Sequence, residues 1–396
     1  MMASDVVDMP PFRLFVVAGE ASGDNLAAHF IEALRRRLSP RPVEVFGIGG
    51  PALRQLGLIS RFEQTDIQLM GLVDVLKSLP TVLSRISETA DAVEDLSPDL
   101  LLTVDVPDFS MRVARKVRRR APHIPIVHWV APTVWAWRPG RAKAMKPHVD
   151  RLLALLPFEP EVFRRLQGPP TTYVGHPLLD IAGAIRPNDD EKRIRDNAAA
   201  PVILVLPGSR RSEIKYLLPV FRDALRLIAA SCPHARFVIP AVPHLAKMIS
   251  DDVAGWGIKA EIVLGEEAKR AAFRRARVAL AASGTVTLEL ALAGIPLVGA
   301  YRGQAFEAWL AGKIVTSHSV LMCNLVLQQN IAPEFMQNAA TPAALASALT
   351  ALIPDGAPRQ AQIDAFAKLD RIMALSGGQT SGDAAVAVAM QLVDGD

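Results

Sequence analysis

Two short runs in the second half of the chain have the residue types to hold a phosphate. Pro207, Gly208, Ser209 and Arg210 follow the apolar stretch 202–206, and Ser283, Gly284 and Thr285 follow the apolar stretch 278–282. A strand that ends in glycine and serine and then opens a helix leaves backbone N–H groups unpaired at the positive end of the helix dipole, an arrangement that suits an anion. Two such turns, one beside an arginine, suit a diphosphate. One turn further on, Glu289 stands among Leu288, Leu290 and Leu292. A carboxylate there can accept both hydroxyls of a ribose. The plain alternative, a glutamate on a solvated helix face, fits those apolar neighbours poorly.

The first half offers different chemistry. Asp105 ends the apolar run 100–104 and is followed by Val106 and Pro107. A carboxylate at the end of a buried strand is partly desolvated, which moves its pKa toward the range a general base needs. Asp108, directly before Phe109, suits a helix cap better, so Asp105 is the catalytic candidate. Gly19 through Asp24 (GEASGD) reads as the first strand-to-helix turn: Ser22 could cap the helix, and Glu20 and Asp24 could bind sugar hydroxyls. Acidic residues at an ordinary helix start are the competing reading of Asp24. Trp129, Trp135 and Trp137, three of the five tryptophans, crowd together with Arg138 and Arg141. Such rings stack on sugars or sit at a membrane interface, and such arginines bind phosphates, although single rings of the group can equally be core. His176, after Gly175, is a further substrate-binding candidate. Gly47 to Gly50 (GIGG) lacks the order and place of a dinucleotide fingerprint. No HExxH, paired-acid box or Cys/His cluster is present, so neither metal nor cofactor is expected.

The elements that must position these residues alternate. Strand-like runs at 12–18, 43–47, 100–104, 125–129, 151–155 and 171–174 are separated by helical patterns, around 72–96 for example. A polar interval at 186–197 interrupts the alternation and reads as the interdomain region. Strand patterns resume at 202–206, 237–240, 261–264, 278–282 and 297–300, and alanine-rich helices close the chain. The reading is α/β: two doubly wound, Rossmann-like domains facing across a cleft, with ligands outside the carboxyl ends of the strands. The first spans 1–185 and the second 186–375; the tail 376–396 forms a helix free to pack back on the first.

Composition narrows the function. At 396 residues, two domains are natural; a net charge of +4, from 44 basic and 40 acidic residues, gives no bulk argument for nucleic acid. Half of the residues are hydrophobic and the mean hydropathy is +0.23. Even so, the long apolar stretch 278–301 is broken by Glu289, two glycines and Pro296, against a membrane span. Cys232 and Cys323 give no disulfide framework, and the first residues lack the pattern of a signal peptide. A cytoplasmic protein with peripheral membrane contact is expected. Arg112, Arg115, Lys116, Arg118, Arg119 and Arg120 form a basic run that is either a solvated helix face or a surface for anionic lipid, where each cation contributes roughly 1 kcal/mol. From Met70 onward, Leu72, Val75, Leu76 and Leu79 beside Lys77 make an amphipathic candidate for insertion, or simply pack on the sheet.

Taken together, GEASGD at 19–24, DVPDF at 105–109, APTVWAWR at 131–138, LPFE at 156–159, Gly175 with His176, LPGSR at 206–210 and ASGT at 282–285 resemble the lipid-A-disaccharide synthase family over most of the chain, from about Phe12 to about Gln337. The resemblance implies a GT-B type, inverting, metal-independent glycosyltransferase. Its reaction would join UDP-2,3-diacylglucosamine to 2,3-diacylglucosamine 1-phosphate (lipid X), giving lipid A disaccharide 1-phosphate and UDP, on the cytoplasmic face of the inner membrane. The residue matched to the family's essential acid is Asp105; those matched to its nucleotide pocket are Arg210 and Asn324. Members often carry a glycine where this chain has Leu327, Gln328 and Gln329, which leaves the two glutamines without an assigned role. Two other readings stay open: a nucleotide-sugar epimerase of the same architecture, needing no lipid surface, and a non-enzymatic nucleotide-sugar sensor. No motif bears on oligomeric state or acyl-chain length.

Overall fold

The apolar runs become two six-stranded sheets in a computed structural model that describes residues 9–67, 72–303 and 319–395, with backbone alone for 72–79. The first sheet holds β1 (Phe12–Ala18), β2 (Val43–Ile48), β3 (Leu100–Val104), β4 (Ile126–Trp129), β5 (Arg151–Ala154) and β6 (Thr171–Tyr173), in the order β2-β1-β3-β4-β5-β6. The second holds β7 (Val202–Leu206), β8 (Arg236–Ala241), β9 (Ala260–Leu264), β10 (Val278–Ala282), β11 (Leu297–Tyr301) and β12 (Glu334–Met336), in the order β12-β11-β10-β7-β8-β9. Every pairing is parallel. Parallel strands covered on both faces must be apolar throughout, and β3, β7 and β10 are buried at every position. Because all strands run the same way, each sheet gathers its strand-to-helix turns at one carboxyl edge.

The chain divides into two compact units, Met1–Pro177 with Leu375–Asp396, and Leu178–Ala374. The division falls ahead of the polar interval expected to separate the domains. That interval forms the helix Asp189–Asp196, closed by a capping box between Asn188 and Glu191, and it belongs to the second unit. Arg195 is buried there and donates to the carbonyls of Phe273 and Ala293, both at 2.8 Å. Its polar composition therefore reflects one solvated helix face and a buried arginine, not a free linker.

In the first unit, one sheet face packs on the helix Ala21–Leu38, and the other on the helices Leu72–Leu96 and Pro107–Arg120. The last helix, Ser381–Asp394, lies on Ala21–Leu38: Ala385, Ala389 and Met390 share a core with Phe30 and Leu34, and Arg36 pairs with Asp383 at 2.8 Å. β12 has no counterpart in the sequence reading; three residues with no alternating pattern give no periodic signal. Met70 lies outside the described residues, as do the side chains of Leu72, Val75, Leu76, Lys77 and Leu79. Among the described residues no helix is long and apolar enough to cross a membrane.

Candidate active site

At the carboxyl edge of the first sheet, two turns meet. A side-chain carbon built on Gly19, after β1, would lie 2.4 Å from the Val106 methyl after β3, so only glycine allows this approach. The contact brings Glu20 and Asp105 to the same edge. Asp105 and Val106 both adopt left-handed backbone, with φ of 55° and 45°. A β-branched residue is rarely found there, and consecutive non-glycine residues in that region store strain. The turn is held by hydrogen bonds: the Asp105 amide donates to the Trp129 carbonyl at 3.0 Å, the Val106 amide to Asp105 Oδ1 at 2.8 Å, and the Ser110 hydroxyl to the Asp105 carbonyl at 2.8 Å. The half-buried Asp105 carboxylate thus sits on a stiff support.

Three expectations at this edge need correction. Asp24 is buried, and its oxygens accept from the amides of Gly50 at 2.6 Å and Ala52 at 2.8 Å. Those amides open the helix Pro51–Gln55, so Asp24 ties one turn to the next and is not offered to a sugar. Ser22 does not cap the helix: it lies exposed within Ala21–Leu38, after an N-cap at Glu20. Asp108 does not cap either; it lies one residue inside its helix and accepts from Arg141 Nη2 at 2.6 Å.

The tryptophans divide. Trp129 is core, 6.1 Å from Phe30 ring to ring. Trp137 is exposed, with the Arg138 guanidinium 4.3 Å over its ring. Trp135 stands between: it meets Phe158 edge-on at 5.5 Å, and its indole N–H donates to Glu159 Oε1 at 3.3 Å. Glu159 is buried at the start of a helix and also accepts from the Leu156 amide at 3.0 Å. Burial pushes its carboxyl up to about 7. Sequence reasoning quoted this residue in a motif but gave it no role, because the partner that explains it is 24 residues away. His176 is buried, which pushes its imidazole down to about 4 and leaves it neutral at physiological pH.

The second sheet's edge carries the other set. After β7, Gly208 has φ of 117°, and a side chain there would strike Glu213, 2.3 Å from Oε2. Glu213 Oε2 accepts from the amides of Ser209 at 2.8 Å and Arg210 at 3.2 Å. The expectation of open amides in this turn is therefore corrected: a carboxylate of the following helix fills the cradle. Arg210 itself remains largely exposed, 3.5 Å from Glu213 Oε1. After β10 the turn differs. The amides of Gly284 and Thr285 carry no hydrogen bond to any described residue. Thr287, two residues on, donates its hydroxyl to the Gly284 carbonyl at 2.8 Å and accepts from the Met322 amide at 2.9 Å. Ser283 donates to the Val320 carbonyl at 2.8 Å. These contacts stitch the segment 319–322 onto the turn. Glu289 is buried, and Lys269 Nζ lies 2.8 Å from its Oε1.

Asn324 is a further correction. Its fully buried amide donates to the Ala332 carbonyl at 2.9 Å and accepts from the amides of Ile331 at 3.1 Å and Ala332 at 2.9 Å. These bonds commit its side chain to shaping the loop at Ile331 and Ala332. Gln328 caps the helix Met322–Leu327 in left-handed backbone with φ of 54°, a conformation glycine adopts at no cost. Among the described residues no group of three or more His, Cys, Asp or Glu could hold a metal.

Two doubly wound parallel sheets with their strand-to-helix turns at the carboxyl edges define a GT-B type architecture. Solved structures share it: a UDP-GlcNAc 2-epimerase from Methanocaldococcus jannaschii, in complex with UDP-GlcNAc and UDP, superposes with a TM-score of 0.59 at 11% identity, covering 97% of this chain and 100% of that one. A glycosyltransferase from Rickettsia africae gives 0.54 at 11% identity over 98% of each. At such identities the likeness shows the fold alone. The family follows from sequence. The model of the lipid-A-disaccharide synthetase family matches residues 14–387, and the lipid-A-disaccharide synthase of Nitrobacter hamburgensis is 51% identical over 362 residues, 91% of each chain. The chain belongs to the lipid-A-disaccharide synthase family and is a glycosyltransferase.

Proposed function

We propose that this enzyme divides its reaction, transfer of 2,3-diacylglucosamine from UDP-2,3-diacylglucosamine to lipid X with release of UDP, between the two carboxyl edges. Asp105 is the general base that takes the proton of the acceptor hydroxyl as it attacks the anomeric carbon. The strained, hydrogen-bonded turn under Asp105 is the observation that carries this assignment, since strain of this kind persists where position matters. Glu20, Trp135, Arg138 and His176 lie on turns of the same sheet and supply acceptor contacts: a sugar-stacking ring, a phosphate-binding guanidinium and hydrogen-bonding groups. In the second unit, the open amides of Gly284 and Thr285 and the Arg210 guanidinium receive the charge that develops on the departing diphosphate, and Glu289 receives the ribose hydroxyls. Gly208, Ser209 and Ser283 support those two turns.

Both substrates carry acyl chains, so the enzyme works at a membrane surface, on the cytoplasmic face of the inner membrane. Arg112, Arg115 and Arg119 are exposed on one helix and suit an anionic headgroup layer. The epimerase reading is set aside, because the fold it rests on is shared while the sequence follows the synthase family. Measuring UDP release from UDP-2,3-diacylglucosamine, with and without lipid X, tests the assignment. Release should depend on lipid X and yield a disaccharide 1-phosphate; release at the same rate without acceptor overturns it.

A further inference from the structure

The Glu289 carboxylate has an arrangement that its proposed contact with ribose does not by itself require. Lys269, on the helix Glu266–Arg275, reaches across to it: Nζ is 2.8 Å from Oε1 and 2.9 Å from Oε2, so one ammonium is shared by both oxygens. On its other side the same ammonium lies 5.4 Å from the ring centroid of Phe273, which is fully buried one helical turn along. Glu289 keeps 7% of its surface exposed and is flanked by the buried Leu288, Leu290 and Leu292. Lys269 is its one side-chain partner among the described residues.

A carboxylate offers about four acceptor positions, two on each oxygen. An ammonium bound evenly by both oxygens takes one from each. Two remain, and a ribose presents two adjacent hydroxyls. A buried glutamate without such a clamp would rotate about its last torsion, which is broad and only two-fold. With the clamp, both free acceptor positions have fixed directions before the nucleotide arrives.

We propose that Lys269 is a positioning residue of the donor pocket, holding the Glu289 carboxylate in the one orientation that receives both ribose hydroxyls of the UDP-sugar. The inference rests on the reading that Glu289 meets the ribose. A lysine that instead touched the diphosphate would act on every nucleotide alike, whereas a clamp on Glu289 acts only through the hydroxyls. The two roles therefore separate when the hydroxyl is removed from the ligand.

Calorimetry on the full chain, with UDP and 2′-deoxy-UDP as probes, decides the matter. Lys269→Met keeps the stem against Phe273 and removes the charge; it should weaken UDP binding about tenfold and 2′-deoxy-UDP, which keeps only the 3′-hydroxyl, no more than about threefold. Lys269→Arg, which can still bridge both oxygens, should restore UDP binding to within about threefold of wild type. Equal weakening of both ligands, or unchanged UDP affinity, overturns the inference. Glu289→Gln tests the underlying reading separately. If it leaves the UDP to 2′-deoxy-UDP preference of wild type intact, the ribose assignment itself fails. If it abolishes the preference while Lys269→Met does not, the assignment stands and the clamp falls. Should Lys269→Met not fold, as judged by its thermal transition, Lys269→Gln takes its place with the same expected pattern.

Discussion

The turns after β3 and β7 answer the same need, presenting a functional side chain at a strand end, by opposite means. After β3, no glycine is used: Asp105 and Val106 are forced into left-handed backbone, and Gly19 on a neighbouring turn makes room. After β7, Gly208 takes the unusual conformation without strain, and Glu213 braces the loop by accepting from the next two amides. The first turn gains stiffness at an energetic cost. The second remains relaxed, and its arginine stays exposed. A base must meet one proton at one distance, whereas a cation stabilises a spread charge over a range of positions, so the contrast matches the chemistry proposed for each edge.

The comparison can be broken most directly at Asp105. Asp105→Asn keeps the shape of the turn and removes the base; turnover should fall by at least about 10²-fold while UDP affinity by calorimetry stays as in wild type. Near-normal turnover would remove Asp105 from the mechanism. Arg210→Ala should act on the other edge alone, weakening UDP binding by roughly tenfold through loss of a charge-assisted contact. An unchanged affinity would leave the diphosphate to the β10 turn.

Val106→Gly sharpens the contrast further, since it gives the first turn the solution used by the second. Relief of a strained residue, worth roughly 1–3 kcal/mol, is offset by lost packing on Gly19 and by about 0.5–1 kcal/mol of chain entropy. Urea unfolding should therefore show stability within about 1 kcal/mol of wild type, while turnover drops about tenfold as Asp105 loosens. Undiminished turnover would show that the strain has no part in catalysis.

A further expected effect concerns pH. The Glu159 carboxyl is held up at about 7, so its stabilising protonated state is fully present below its ordinary value of 4.5 and is lost as pH rises through about 7. His128 and His176 are pushed down by burial to about 3 and about 4; their contribution is present above 6.5 and lost as pH falls toward those values. Glu159→Gln should flatten the first of these trends, with a change on the order of 2 kcal/mol between pH 5 and pH 8, and leave the acid-side loss in place. Thermal unfolding across that range gives the comparison; an unaltered alkaline slope would assign it to another group.

Most of the architecture was legible because parallel strands buried on both faces are written as continuous apolar runs, and β3, β7 and β10 could be placed to the residue. The three-residue β12 could not, and neither could a boundary whose polar segment turned out to be a capped helix. Within the candidate site, the turns were found but several side chains within them were misread. Asp24 and Asn324 look like ligand contacts until their partners at Gly50, Ala52, Ile331 and Ala332 are seen. Glu213 carried half of a local signal: a glutamate three residues after the N-cap reaches back to its amide, but Arg210 has no acceptor to complete a capping box. Glu159 and Lys269 carried none, because what defines them is a partner on another element.

The helix Ser381–Asp394 has a consequence for how the protein comes into being. A ribosome emits the strands of the first sheet early, yet the helix that covers Phe30 and Leu34 follows only after the whole of Leu178–Ala374. The unit encoded in the middle, Leu178–Ala374, has all its parts in hand sooner. Biogenesis therefore runs out of order: the unit whose strands come first is completed second, with an apolar helix face uncovered while Leu178–Ala374 is made. At about 5–20 residues per second, that exposure of Ala27, Phe30 and Leu34 lasts on the order of tens of seconds, until the covering helix is made.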